Sequence, residues 1–309
     1  MLSDNSDIKC YACLELLGKI ENPSHFVREN CLVECAKRNN IIAVINLLES
    51  GIDIETSDID GMTSLCWAVQ LQNVALVSYL ISKGANTNVF CKANFDTPVS
   101  LACKVGNIAI LHLLLQNGGD SEYRDPRGVT LLMSAAASKQ PLICEYLIRR
   151  GMILGEDNFG HSALHWASSH GDPSVISLLL HHFPESINIK DLNQMTPLHY
   201  AVARGRISAT QILLENGADL NLLDINGNNP CALAIQKYSE EVSKMQRSFF
   251  ATLMNKLTGQ KKEPQIINHY AQSTAQSVGR ASHIWIIIAN GFELAWGMEI
   301  RSCSSFSCI

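Results

Sequence analysis

The chain has 309 residues, of which 47% are hydrophobic and 17% charged, enough to bury a sizeable core; length alone suggests about two domains. The formal charge of -5 and a pI near 6.1 exclude the strongly basic balance that draws a protein to nucleic acid or to an anionic membrane surface. The first ten residues, MLSDNSDIKC, hold neither a basic n-region nor an apolar h-region, so no secretory signal is expected. Eleven cysteines, an odd number scattered through helical patterns, fit reduced thiols better than a disulfide framework. Together these features predict a cytoplasmic protein.

Self-similarity organises the rest of the chain. GMTSLCWA (61–68), FDTPVSLA (95–102), GVTLLMSA (128–135), GHSALHWA (160–167), QMTPLHYA (194–201) and GNNPCALA (227–234) are one motif used six times, at a period near 33 residues. Its apolar column runs Leu65, Val99, Leu132, Leu164, Leu198, Cys231, and its last column is alanine from Ala68 to Ala234. Apolar pairs one turn apart follow each motif, as in Leu76-Val77 with Leu80-Ile81 and Val175-Ile176 with Leu179-Leu180, which is one face of a helix. Gly84, Gly118, Gly151 and Gly217 then stand where a left-handed residue ends a helix. Thr97-Pro98, Thr196-Pro197 and Asn229-Pro230 put a side-chain acceptor at the N-cap and proline at the first helical position. DIDG (58–61), DPRG (125–128), DNFG (157–160) and DING (224–227) read as tight turns that project as fingers.

These residues resemble the ankyrin repeat family, whose signature is T-P-L-H-x-A on a period of 33. The fullest copy is TPLHYAVARGRISATQILLENGADLNLLD (196–224), and CLVECAKRNNIIAVINLLESGIDIETSD (31–58) is a weaker one. The resemblance covers residues 25–258 and implies an all-α solenoid of helix-turn-helix units with projecting β-turn or hairpin fingers. The expected layout is an N-terminal capping helix region (1–27), a repeat domain (28–258) of one partial and six full units closed by a long capping helix, and a polar linker with a short apolar tail (259–309). Three departures stand out. CKANF (91–95) and Gln194 replace finger residues, so those fingers are expected to be shaped differently, and HHFPES (181–186) replaces a glycine stop, so an outer loop is expected to bulge there.

Five of the ten histidines lie in HSALHWASSHGDPSVISLLLHH (161–182), with His161 and His165 spaced as two ligands on a helix face would be. The resemblance assigns them separately. His165 and His199 occupy the histidine column, whose ring hydrogen-bonds finger backbone, and the other units carry Cys66, Ser100, Met133 and Ala232 there. His161 belongs to a finger, His170 to an inner-helix end, and His181 and His182 to an outer-helix end, so no metal site is expected. Cys10-x2-Cys13 and Cys31-x3-Cys35 sketch a zinc site, but Cys35 falls in the small-residue column and is expected to be buried. No phosphate-binding loop, nucleophile elbow, H-E-x-x-H or dinucleotide fingerprint occurs, so neither catalysis nor a cofactor is expected.

What remains is surface. The resemblance implies that partners dock on the finger tips and the exposed ends of the inner helices. The finger tips carry Ile59, Met62, Phe95, Phe159, His161, Leu192 and Met195. Lys37, Arg38, Lys104, His170, Arg204 and Lys237 form a basic row at the inner-helix ends, which favours an acidic or amphipathic peptide. The stretch HIWIIIANGFELAWGMEI (283–300) is interrupted by Asn290, Gly291 and Glu293, which makes it a poor membrane span; a partner-binding segment and an alternative chain end both fit it. Two functions follow: a monomeric, non-enzymatic scaffold that binds a protein partner, or the substrate-recruiting arm of a membrane S-acyltransferase, a family that also carries such repeats. The chain has no Asp-His-His-Cys motif, so in the second case its catalytic part lies elsewhere.

Overall fold

The computed structural model describes residues 25–152 and 155–234, together with Gln236. The long capping helix, the linker and tail, Lys237 and nearly all of the N-terminal capping region fall outside the described residues. The chain divides into two compact units, Met1–Ile153 and Leu154–Ile309.

In the first unit, helices pair as α1 (His25–Lys37) with α2 (Ile41–Glu49), α3 (Ser64–Gln70) with α4 (Val74–Ser82), α5 (Pro98–Val105) with α6 (Ile108–Gln116), and α7 (Leu131–Ala137) with α8 (Pro141–Arg149). The first members stack on one another as an inner layer, and α4, α6 and α8 stack as an outer layer. In the second unit, α9 (Ala163–His170) pairs with α10 (Pro173–His182) and α11 (Pro197–Ala203) with α12 (Ile207–Glu215), and a further helix begins at 230–234. Each unit is thus an all-α stack of helical hairpins. Among the described residues there is no β-strand, only isolated bridges across fingers at Ser57–Thr63 and Arg124–Thr130.

The alanine column explains why the inner helices approach so closely. Ala68, Ala102, Ala135, Ala167 and Ala201 are fully buried, and Leu65, Leu132, Leu164 and Leu198 fill the space beside them. A larger side chain in that column would wedge neighbouring hairpins apart, a strain of about 1–3 kcal/mol. The helices start where the caps dictate. Thr97 accepts the Ser100 amide at 3.2 Å, and Asn73, Asn107 and Asp172 cap the outer helices in the same way. They stop as the glycines require: at the end of α4, Gly84 takes φ +89° and the Ala85 amide donates back to the Leu80 carbonyl at 3.0 Å.

The departures resolve differently. Gln194 takes φ +59° and donates its amide to the Asp191 carbonyl at 2.9 Å, so it keeps the turn that Gly160 makes at φ +79°. The expectation of a reshaped finger fails there, because the turn's hydrogen bonding tolerates a left-handed glutamine. In the 91–96 finger Phe95 also goes left-handed, at φ +57°, but its amide bonds the Cys91 carbonyl four residues back, so this finger holds one residue more. At the end of α10 the glycine stop is replaced by a 3-10 turn, Pro184–Asn188, in which buried Ser186 donates its hydroxyl to the Phe183 carbonyl at 2.6 Å.

Candidate functional site

The fingers are built around aspartates. One oxygen of Asp58 accepts the amides of Asp60 and Met62 at 3.1 and 2.9 Å, and one oxygen of Asp157 accepts those of Phe159 and His161, both at 2.9 Å. Asp125 and Asp224 repeat the arrangement with the amides two and four residues on. The other oxygen reaches the inner helix: Trp67 donates to Asp58 at 3.0 Å, Trp166 to Asp157 at 3.2 Å, and the Tyr200 hydroxyl to Asp191 at 2.7 Å. Burial alone would raise these carboxyls, but the donors outweigh it and hold Asp58, Asp157 and Asp224 below the ordinary carboxylate value.

Adjacent fingers are also joined backbone to backbone. Ala93 donates to the Asp60 carbonyl at 3.3 Å, Leu192 to Phe159 at 3.0 Å and Ile225 to Asn193 at 2.9 Å. The histidine column adds a second tie. His165 Nδ1 accepts the Ser162 amide at 3.1 Å, which leaves Nε2–H to donate to the Met195 carbonyl of the next finger at 3.1 Å. His199 repeats this between Thr196 and Asn228. Burial lowers the His165 pKa to about 4 and lowers that of His199 as well, so both rings are neutral at pH 7.

Such a framework leaves the tips free to face solvent. Ile59 is 96% exposed, Leu192 68% and Phe159 52%; Phe95 is also exposed, and Met195 is half-buried. Met62 is a correction: it is only 9% exposed, because its amide is drawn to Asp58 and its side chain turns under the finger against Cys91. Ile225, 67% exposed, was missed, although it aligns with Ile59 as the second residue of its finger.

The polar candidates are more committed than their spacing suggests. His161 is held between Asp157 Oδ2 at 2.9 Å and the Tyr200 hydroxyl at 2.9 Å, with Asp191 Oδ2 at 3.4 Å. His170 stacks on Trp166 and meets its carbonyl through Nδ1 at 2.9 Å. Lys37 pairs with Asp58 at 3.1 Å, Arg38 with Glu34 at 3.0 Å and Lys104 with Asp96 at 2.5 Å, whereas Arg204 is exposed. The basic row is therefore partly neutralised by the chain's own acids.

The histidines of 161–182 have separate duties, and among the described residues no group of three or more His, Cys, Asp or Glu is placed to hold a metal. Cys31 and Cys35 are both buried. Among the described residues no helix is long and apolar enough to cross a membrane.

Stacked helical hairpins, capped by Thr-Pro and tied finger to finger through the histidine column, define a repeat protein of the protein-binding class. Family models described as ankyrin repeats match residues 7–91, 99–191 and 178–234, and the chain belongs to the ankyrin repeat family. Among curated relatives, human palmitoyltransferase ZDHHC13 is 30% identical over 202 residues, covering 64% of this chain and 32% of that protein. Palmitoyltransferase AKR1 of Lachancea kluyveri is 28% identical over 208 residues, 64% of this chain and 28% of that one. The chain thus spans about a third of the palmitoyltransferases it matches. The probable 26S proteasome regulatory subunit p28 of Saccharomyces cerevisiae is 31% identical over 203 residues, 63% of this chain and 89% of that protein. Of solved structures, the ankyrin repeat domain of human ASB11 superposes with a TM-score of 0.56 at 22% identity, over 65% of this chain and 90% of that one. The ankyrin repeat domain of Bcl-3 does so at 0.54 and 25%, over 65% and 92%.

Proposed function

We propose that this chain is a non-enzymatic scaffold that binds a protein partner through apolar finger tips presented by each unit. The observation that supports this most is the combination of Ile59, Phe159, Leu192 and Ile225 in solvent with finger backbones held by aspartates and inter-finger hydrogen bonds. A pre-ordered surface loses little conformational entropy on association, which is how such fingers hold an extended or helical segment. Met195 is half-buried beside those tips, and the exposed Arg204 biases the surface toward an acidic or amphipathic peptide by attraction that salt screens. Lys104, His161 and His170 are held by Asp96, by Asp157 and Tyr200, and by Trp166, and contribute only by exchanging those contacts for the partner's. The scaffold acts as a cytoplasmic monomer. The test is affinity capture with the full chain beside Ile59→Asp and Leu192→Asp: a partner held by the wild type and lost from a finger variant supports the reading, and an unchanged partner set removes it.

A second reading is favoured by the palmitoyltransferase relatives: the chain recruits substrates for a membrane S-acyltransferase. Its catalytic part is then supplied outside these 309 residues, which hold no Asp-His-His-Cys sequence. Co-capture of S-acyltransferase activity with the full chain from a membrane fraction supports this reading, and its absence there favours the first.

A further inference from the structure

Cys91 stands where four other fingers have an aspartate that accepts two finger amides, and sulfur is too weak an acceptor to replace that carboxylate. Losing two such bonds costs about 1 kcal/mol each. In the preceding unit the histidine column also carries sulfur, at Cys66. The two replacements face each other: the sulfurs of Cys91 and Cys66 are 3.9 Å apart, and Met62 Sδ lies 3.0 Å from Cys91 Sγ. Cys66 is completely buried, Cys91 is 1% exposed, and Met62, at 9%, forms the side nearest solvent.

We propose that Met62, Cys66 and Cys91 form a trigonal site for a soft monovalent ion, Cu(I), between the first two fingers of the first unit. Three sulfurs around one ion at metal–sulfur distances of about 2.3 Å are separated by about 4.0 Å, a span the two cysteines already show. Met62 Sδ has to draw back from Cys91 Sγ by about 1 Å, and an unbranched thioether adapts to that readily. Thiolate and thioether donors select Cu(I), whereas Zn(II) seeks four ligands in a tetrahedron, and the triad offers three. The Thr63 hydroxyl, 3.5 Å from Cys66 Sγ, donates to that sulfur and helps to hold its negative charge. Because a cysteine ligates as its thiolate, binding releases the two thiol protons to solvent as two sulfur–metal bonds form, with no change of oxidation state, and affinity rises with pH.

The test is an anaerobic competition for Cu(I) against bicinchoninate with the full-length chain. Wild type retains one more equivalent than Cys66→Ser/Cys91→Ser, and Cys231→Ser, a thiol far along the sequence in the other unit, matches wild type. Met62→Leu keeps the volume and fold but weakens retention by about tenfold or more. Retention in wild type strengthens from pH 6.5 to 8. Equal retention by wild type and the double variant overturns the proposal, as does a Cys66–Cys91 disulfide forming in place of metal uptake. Should the double variant not fold, unchanged affinity in Met62→Leu is sufficient to overturn it.

Discussion

His165 is the residue through which one finger holds the next. Its Nδ1 accepts the Ser162 amide at the start of α9 and its Nε2–H reaches the Met195 carbonyl at 3.1 Å, so one neutral ring caps a helix and bridges two repeats. His165→Ala is expected to remove both bonds, leave a cavity in a buried site and lower unfolding free energy by about 2–4 kcal/mol. Urea unfolding of the full chain checks this, and a variant as stable as wild type would contradict the bridging role.

The same ring predicts a pH dependence. Folding lowers the His165 pKa from 6.5 to about 4, so between those values the unfolded chain binds the extra proton. The stabilisation is fully present above about pH 6.5 and is lost as pH falls toward about 4; at full extent it amounts to about 3 kcal/mol. His199 acts in the same direction. The stabilisation from the lowered finger aspartates is fully present above their ordinary value of 3.8 and is lost only below it, so the two windows separate. Unfolding free energy measured between pH 7.5 and 4.5 is expected to fall on acidification, less steeply in His165→Gln.

Finger spacing sets a steric limit at two glycines. A Cβ on Gly160 would lie 3.0 Å from the Leu192 amide nitrogen, and one on Gly61 would lie 2.8 Å from that of Lys92, whereas Gly84 opens onto free space. All three have positive φ. Gly84→Ala is expected to cost about 1 kcal/mol, the left-handed penalty alone, and Gly160→Ala about 2–3 kcal/mol, because neighbouring backbone must also move. Parallel thermal melts of the two variants distinguish these terms.

Asp157 serves Phe159, His161 and Trp166 at once. Asp157→Ala is expected to leave two amides and an indole without their acceptor and to destabilise the chain by about 2–4 kcal/mol. By contrast, Leu192→Asp changes a mostly exposed tip and is expected to shift stability by no more than about 0.5 kcal/mol while abolishing partner capture. A large loss of stability in Leu192→Asp would mean that the tip is structural.

Much of this was legible in the chain. The leucine and alanine columns, the Thr-Pro caps and the glycine stops are local signals with fixed periods, and each landed where the period put it. The tips Ile59, Phe159 and Leu192 were also readable, because the second or third residue of a tight turn has nowhere to point but outward. Met62 was not: it sits at the return limb of the turn, and whether its side chain faces water or the next finger depends on the backbone pull of Asp58.

By itself, the sequence determined the repeat, the helix boundaries and the histidine column, since all three follow from periodicity, capping and turn chemistry acting over a few residues. Only the tertiary structure decided which side chains remain available. His161 is engaged by Asp157 and Tyr200, Lys104 by Asp96, and Cys66 by Cys91. Of these contacts, His161–Tyr200 and Cys66–Cys91 join residues of adjacent repeats, and their partners are chosen by how adjacent fingers stack rather than by any local rule. The Asp157 and Asp96 contacts lie within single repeats, but they form only because a turn returns its carboxylate to the adjoining helix end.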